Sequence, residues 1–486
     1  MNPIQLKNQH LFWRAGFGPS INETKIIGRE KPDALFHSIL KASEKKPDLF
    51  DVADPQLKEI VMANRESGMG KFQRLKPEDR QMMRRQSVLD IAKLNIRWLQ
   101  EMSETEAQLR EKMSLFWHGH FATKTVNIIY DQELLNVIRE NSLGSFRDLL
   151  FQVSKTASMI QFLNNNQNKK GHPNENFARE LMELFTIGRG NYTEKDVKES
   201  ARAFTGWGTN LQGEFEFRPG IHDDGSKTFF GKTGNFSGED VLDILLSQNQ
   251  TAVFITRKIY RFFVNDFPDE SQINALAIHF YESGYDIKSL LTKIFTSSWF
   301  YDTQHIGTQI KSPVLWLVGM RRQLPMEIQN PAMQLVLERL LGQVLFSPPN
   351  VAGWPGGRHW IDSSSLMLRM QVPHMLYMSD IILSKPKDDD DVMMGMRDQL
   401  SGRQKMKTLT RGNQIFQTRI LWNSYIEDFA ETKEFSLYEA ISGILLQRKT
   451  AMTETEMVKY IDESNRDKRI ESITIRLMGT PEYQLC

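Results

Sequence analysis

A chain of 486 residues with 40% hydrophobic and 25% charged content is long enough for one large or two ordinary globular domains, and that composition excludes general disorder. Sixty-one basic against sixty acidic residues leave no overall field for nucleic-acid binding, and the single cysteine, Cys486, excludes an intramolecular disulfide, a cysteine zinc site and a thiol triad. No apolar run is long enough to span a bilayer and residues 1–20 lack the apolar stretch of a signal peptide, so a cytoplasmic protein is expected, or an exported one if a leader has been trimmed.

In chain order, His10 to Phe17 begins as a short helical element, and Arg14-Ala-Gly-Phe-Gly18 reads as helix-ending punctuation that could also serve as a ligand loop. Helices are predicted over residues 31–43 and 77–103, then from Glu104 to Phe121 with Leu109, Met113, Phe116 and His120 on one stripe. The pattern continues over 131–141 and 145–164 before a polar loop, Asn164 to Pro173. Residues 174–188 form the most unusual stretch: a helix apolar on most sides, with Asn176, Arg179, Glu180 and Glu183 on one face. Burial of such charges costs several kcal/mol unless they are paired or used (on the order of 3–5 for a broken pair), so partners or a ligand are required.

Thr193 and Asp196 resemble a capping box, with Val197, Ala201 and Phe204 as the buried side of the helix they open. Phe215, Phe217 and Phe229 around Asp224-Gly225 predict one small hairpin near 213–231. Further helices are expected from Ser237, from Thr251 to Val264, over 271–282, 287–296 and 312–322, from Asn330-Pro331, and over 363–383. A rigid loop rich in proline, glycine and tryptophan, Ser347 to Trp360, interrupts the last two. The expected fold class is mostly α: a multi-helix globular array with one small β-hairpin and long ordered loops. Its organisation is a main helical domain at 1–383, an acidic linker at 384–394 and a helical C-terminal extension at 395–486.

Seven segments in this order carry a resemblance: His10 to Gly18, Phe116-Trp-His-Gly-His-Phe121, Asn174 to Leu184, Tyr192 to Val197, Ala203-Phe-Thr-Gly-Trp207, His222-Asp-Asp-Gly-Ser-Lys227 and Pro348 to Trp354. Together, over about 10–370, they resemble the bacterial domain-of-unknown-function family 1800. The resemblance implies no established reaction. It implies a sulfatase- or phosphatase-like protein partner, and Phe185 stands where some relatives carry histidine, so a metal scheme needing that ligand does not carry over.

The chemistry-bearing candidates fall into three sets. Histidines and carboxylates supply nitrogen and oxygen ligands, so a divalent metal could be held by His118, His120 and Asp223. His118 and His120 lie about 200° apart on an ideal helix, so they share an ion only if the helix ends between them. A core histidine is the commoner role for His120, and ion pairing the commoner role for the two glutamates. As a catalytic set, Glu180 or Glu183 would act as base, Arg179 as orienting cation and His222 as acid or ligand. Arg202 and Lys227 could bind an anion, as could Arg257, while Trp207, Trp354 and Trp360 could stack on a substrate or simply seal the core. The expectation is a pocket-bearing enzyme, with metal-assisted hydrolysis of a polar or anionic substrate as its reaction; the alternative is a non-catalytic helical scaffold or binding module.

Overall fold

The computed structural model describes residues 2–59, 77–210, 213–378, 418–451, 456 and 459–486. The expected acidic linker at 384–394 lies outside these residues. The fold is mostly α with a small β component. Counting helices of five residues or more, the order is α1 (Pro3–Ala15), α2 (Pro32–Ser43), α3 (Pro77–Glu104), α4 (Gln108–His120), α5 (Ile128–Asn141), α6 (Phe146–Lys155) and α7 (Ala157–Phe162). Then come α8 (Asn176–Glu180), α9 (Glu194–Ala203), α10 (Gly238–Leu246), α11 (Asn249–Phe263), α12 (Glu270–Glu282) and α13 (Ile287–Phe295). The series ends with α14 (Pro313–Gln323), α15 (Ala332–Leu341), α16 (Ser363–Met378), α17 (Trp422–Glu427), α18 (Leu437–Leu445) and α19 (Arg466–Met478).

Helix starts follow side-chain chemistry. Thr193 and Asp196 form the expected box, each side chain accepting from the other's backbone N–H (3.2 and 2.9 Å), which satisfies donors the first helical turn leaves free. Ser237 and Asp240 do the same for α10. The helix expected over 145–164 is divided between α6 and α7 at Thr156, an extended residue whose hydroxyl accepts from the Met159 N–H.

The hairpin near 213–231 needs correction. Phe215–Phe217 (β2) pairs backwards with Trp207–Thr209 (β1), and Lys227–Phe229 (β3) pairs forwards with Lys232–Gly234 (β4). The strand residues were legible, but the Asp224-Gly225 turn joins two separate ribbons. A third ribbon pairs Met326–Ile328 (β5) with Thr418–Ile420 (β6).

Two apolar cores organise the chain. The first collects α2, α6 and the helices from α7 to α13; the second collects α3, α14, α15, α16 and the described helices after 418. Helices α1, α4 and α5 contribute to both: Leu11 and Phe12 face the first and Trp13 the second, Phe116 and Trp117 the first and Leu115 the second, Leu134 and Ile138 the first and Ile128 and Leu135 the second. Accordingly α1 is buried on every side from Asn8 to Ala15, and every residue of α4 except Gly119 is buried. The polar side chains of α1 and α4, Arg14 and Lys112 among them, are trapped at the seam between the cores.

Candidate functional site

The histidine pair on α4 settles its own geometry. The helix continues through His120, so the two rings point to opposite cores. His118 lies against Trp98, Phe346 and Trp354, with ring centroids 5.2, 4.9 and 5.6 Å away. Its Nε2 accepts the Phe346 N–H at 3.1 Å, which uses the lone pair a metal would need, and burial lowers its pKa to about 3. His120 sits among Phe116, Phe121, Phe146 and Phe185 in the other core. Its Nε2 lies 3.1 Å from the Phe185 carbonyl, which can only accept, so Nε2 carries the proton and Nδ1 is left as a buried lone pair without a partner. Desolvation, and then the charge of Lys258, holds the ring well below the ordinary histidine range.

Residues 174–188 are not one α-helix. After α8 the backbone widens into a π-helix, Leu181–Thr186, with the Thr186 hydroxyl donating to the Leu181 carbonyl at 2.7 Å. The Leu184 and Phe185 carbonyls in its final turn receive Lys258 Nζ (3.4 Å) and His120. The polar stripe is paired mainly toward the surface. Arg179 forms a two-pronged pair with Glu194 (2.8 Å each) and a contact with Glu175 (3.1 Å), and these carboxylates raise its pKa. Glu183 accepts the Tyr192 hydroxyl at 2.7 Å, while Glu180, half-buried and raised by burial and by Glu183, makes no hydrogen bond or ion pair among the described residues.

The segment His222 to Lys227 is a closed structural knot rather than an open tip. His222 is buried and its Nδ1–H donates to the Thr205 carbonyl at 2.7 Å. Arg202 grips Asp223 through Nε and Nη2 (2.8 and 3.2 Å) and also Glu199, which holds the Asp223 carboxyl down at about 2. Lys227 is buried with its ammonium on the Asp223 and Gly225 carbonyls, and burial lowers its pKa. Arg257 is paired with Glu270. Trp207 packs on Phe204 and Phe215, Trp354 on His118, and Trp360 is buried, so all three indoles pack against protein.

The structure therefore does not bring His118, His120 and Asp223 together, nor does it converge Arg179, Glu180, Glu183 and His222 on one hollow. Among the described residues no three His, Cys, Asp or Glu side chains are grouped to hold a metal ion. The physical reason is the seam: α4 separates its own two histidines, and Asp223 is spent on Arg202.

A different constellation is assembled where α1, α11 and the Pro-Gly-Trp loop meet. Arg14, in the last turn of α1, is fully enclosed. Its Nη2 donates to the carbonyl of His305 (2.9 Å) and to the negatively charged main-chain oxygen of Cys486 (3.0 Å), but Nε and Nη1 are buried without any partner. Burial lowers its pKa, with negative charge at Cys486 and at Asp266 opposing. Asp266, just beyond α11, is half-buried and forms no ion pair among the described residues; burial raises its pKa against the pull of Arg14, Arg261 and Arg358. Arg261 and Arg358 are exposed and likewise make no ion pair there. These charges feel one another without touching.

Two glycines bring the loop in. A Cβ on Gly353, at φ +79°, would lie 2.3 Å from the Gly119 carbonyl oxygen, and one on Gly357, at φ +57°, would lie 3.1 Å from Asp266 Oδ2. The loop thus docks its backbone on the end of α4 and on the carboxyl. Behind Arg14, Lys112 is wholly buried with Nζ on the Trp13 carbonyl at 3.2 Å, and desolvation brings its pKa down to about 7. Its helical neighbours at steps of four are Phe116 and His120, a sequence signal available but masked by the habit of reading lysine as solvent-facing. Asp266, Arg261 and Arg358 gave no local signal at all.

A family model matches residues 10–485, nearly the whole chain. The chain belongs to DUF1800, a family of proteins of unknown function. This DUF1800 membership extends beyond the segments at 10–370 to the C-terminal helices, in keeping with their place in the second core. No curated protein and no solved structure matches. Among the described residues no helix is long and apolar enough to cross a membrane.

Proposed function

We propose that the chain is an enzyme acting on a polar, anionic substrate by acid–base hydrolysis at the Arg14–Asp266 constellation. The observation that carries this reading is the pair of buried, unpartnered Arg14 N–H groups within electrostatic reach of an unpaired carboxyl. A buried donor left without a partner costs about 1–3 kcal/mol, and a carboxylate, phosphate or sulfate oxygen on the Nε or the Nη1 side would relieve that cost with a charge-assisted bond. Asp266 would move the proton, since burial keeps its carboxyl easier to protonate than an exposed aspartate. Arg261 and Arg358, exposed and within electrostatic reach of Asp266, would draw the anion in.

The test is binding of acetate, sulfate, phosphate and their simple esters by calorimetry, with an ester-hydrolysis screen, on the full chain and on Arg14→Lys and Asp266→Asn. The proposal requires weaker binding in the first variant and retained binding without turnover in the second. Binding and turnover indifferent to both variants would defeat it. A second reading, a non-catalytic helical scaffold working with a sulfatase- or phosphatase-like partner, is favoured by the closed pairs of Arg179 and Arg202. That reading expects no turnover and a partner whose binding Arg14→Lys leaves intact.

A further inference from the structure

A hollow lies away from Arg14, between the end of α2, the start of α4, the end of α5 and the first turn of α13. Its volume is about 440 Å³, within the range of small-molecule sites. Five cations line it, Lys45, Lys46, Arg110, Arg139 and Lys288, against two carboxylates, Glu44 and Glu140. Both carboxylates are already bridged, Glu44 by Lys288 at 3.0 Å and Glu140 by Lys46 at 3.3 Å.

The floor is built rather than accidental. Arg110 and Arg139 are buried and share one enclosed carboxylate, Glu111: Arg139 reaches it through Nε and Nη2 at 2.9–3.1 Å, and Arg110 through Nε at 3.0 Å. The next carboxylate, Glu101, stands 3.7 and 3.8 Å from the two guanidiniums. The same arginines strap the loop above them, Arg110 donating to the Lys45 carbonyl (2.8 Å) and Arg139 to the Asp48 carbonyl (2.6 Å). Arg139 also stacks on Phe50, 4.0 Å from the ring centre. The two guanidiniums are held in place by backbone and aromatic contacts and carry Glu111 between them with Glu101 within ion-pair distance, so the cavity's surplus positive charge rests on the rim lysines above them. The Lys45 ammonium makes no ion pair among the described residues.

We infer that this hollow is a second binding site, for a small molecule carrying a phosphate or sulfate group. A bare oxyanion would fill little of the volume, so the group is the anchored end of a larger ligand. The oxyanion lies over the Arg110–Arg139 floor, with Lys45 and Lys288 closing on it from the rim. The site is independent of the Arg14–Asp266 reading, because none of its lining residues belongs to that constellation.

The probes are inorganic phosphate, sulfate and pyrophosphate, titrated calorimetrically into the full chain at low ionic strength. The variants are Lys45→Ala/Lys288→Ala, which alters only rim side chains, and Arg14→Lys, which addresses the Arg14–Asp266 constellation. The expected result is saturable binding, pyrophosphate strongest, weakened about tenfold by the rim pair and persisting in Arg14→Lys. Phosphate and sulfate arms of unequal strength identify which ester the ligand carries. The inference is overturned if no probe saturates, if the rim pair changes nothing, or if Arg14→Lys alone removes the binding.

Discussion

Replacing Lys112 by methionine isolates the cost of keeping an ammonium at the seam. An ordinary lysine holds its proton to 10.5, whereas burial lets Lys112 release it by about 7. At about 1.4 kcal/mol per tenfold change in acidity, that difference sets an upper figure of about 5 kcal/mol for the charged form in the folded chain. Between those two values the unfolded chain binds more protons than the folded one, so stability rises with pH across about 7 to 10.5. Below about 7 the full penalty is present. Methionine keeps the stem volume and removes the charge, but gives up the bond to the Trp13 carbonyl, worth about 1 kcal/mol. Lys112→Met is therefore expected to stabilise the chain by a few kcal/mol, at most about 4, near pH 6, with the gain vanishing toward pH 10. Urea unfolding at unit pH intervals reads this directly. Parallel stability curves for the two proteins would refute the reasoning, since a lysine that keeps its ordinary acidity contributes no slope there. Lys311, also brought to about 7 by burial, adds slope of the same sign, so the double variant should be the flattest.

Other expectations concern single contacts. Glu111→Gln keeps the shape of the side chain but leaves Arg110 and Arg139 without their enclosed counter-ion, and should destabilise by about 3–5 kcal/mol in urea unfolding. Glu338 is buried on Asn95 with its carboxyl raised to about 8, so the folded chain holds a proton that the unfolded chain loses near 4.5. Wild-type stability should accordingly fall as pH rises between those values, while Glu338→Gln removes that part of the slope. Gly353→Ala combines a left-handed backbone with a Cβ driven onto the Gly119 carbonyl, and should cost at least about 2 kcal/mol and weaken anion binding at Arg14; a neutral variant would show that the loop is not anchored there.

Periodicity and capping signals were sufficient for most helices because both are local. Thr193, Ser237 and Pro313 mark helix starts within a few residues of the bonds they make, and the apolar stripes of α9 and α11 lie on the sides that are buried. The π-helix at Leu181 to Thr186 was not legible: its Thr186 bond closes onto Leu181, and its last carbonyls are used by Lys258 and His120 from distant segments.

By itself, the sequence determined that Arg179, Glu180 and Glu183 share a face, that the two α4 histidines diverge, and that Arg14-Ala-Gly-Phe-Gly18 ends a helix. Only the tertiary structure decided what each charge meets. Arg179 turns to Glu194 and Arg202 to Asp223, while Arg14 is left with two empty donors beside a carboxyl more than two hundred positions away in the chain. The physical reason is that helical phase is fixed by 1.5 Å and 100° per residue, whereas the partner of a buried charge is fixed by which helices the two cores pull together.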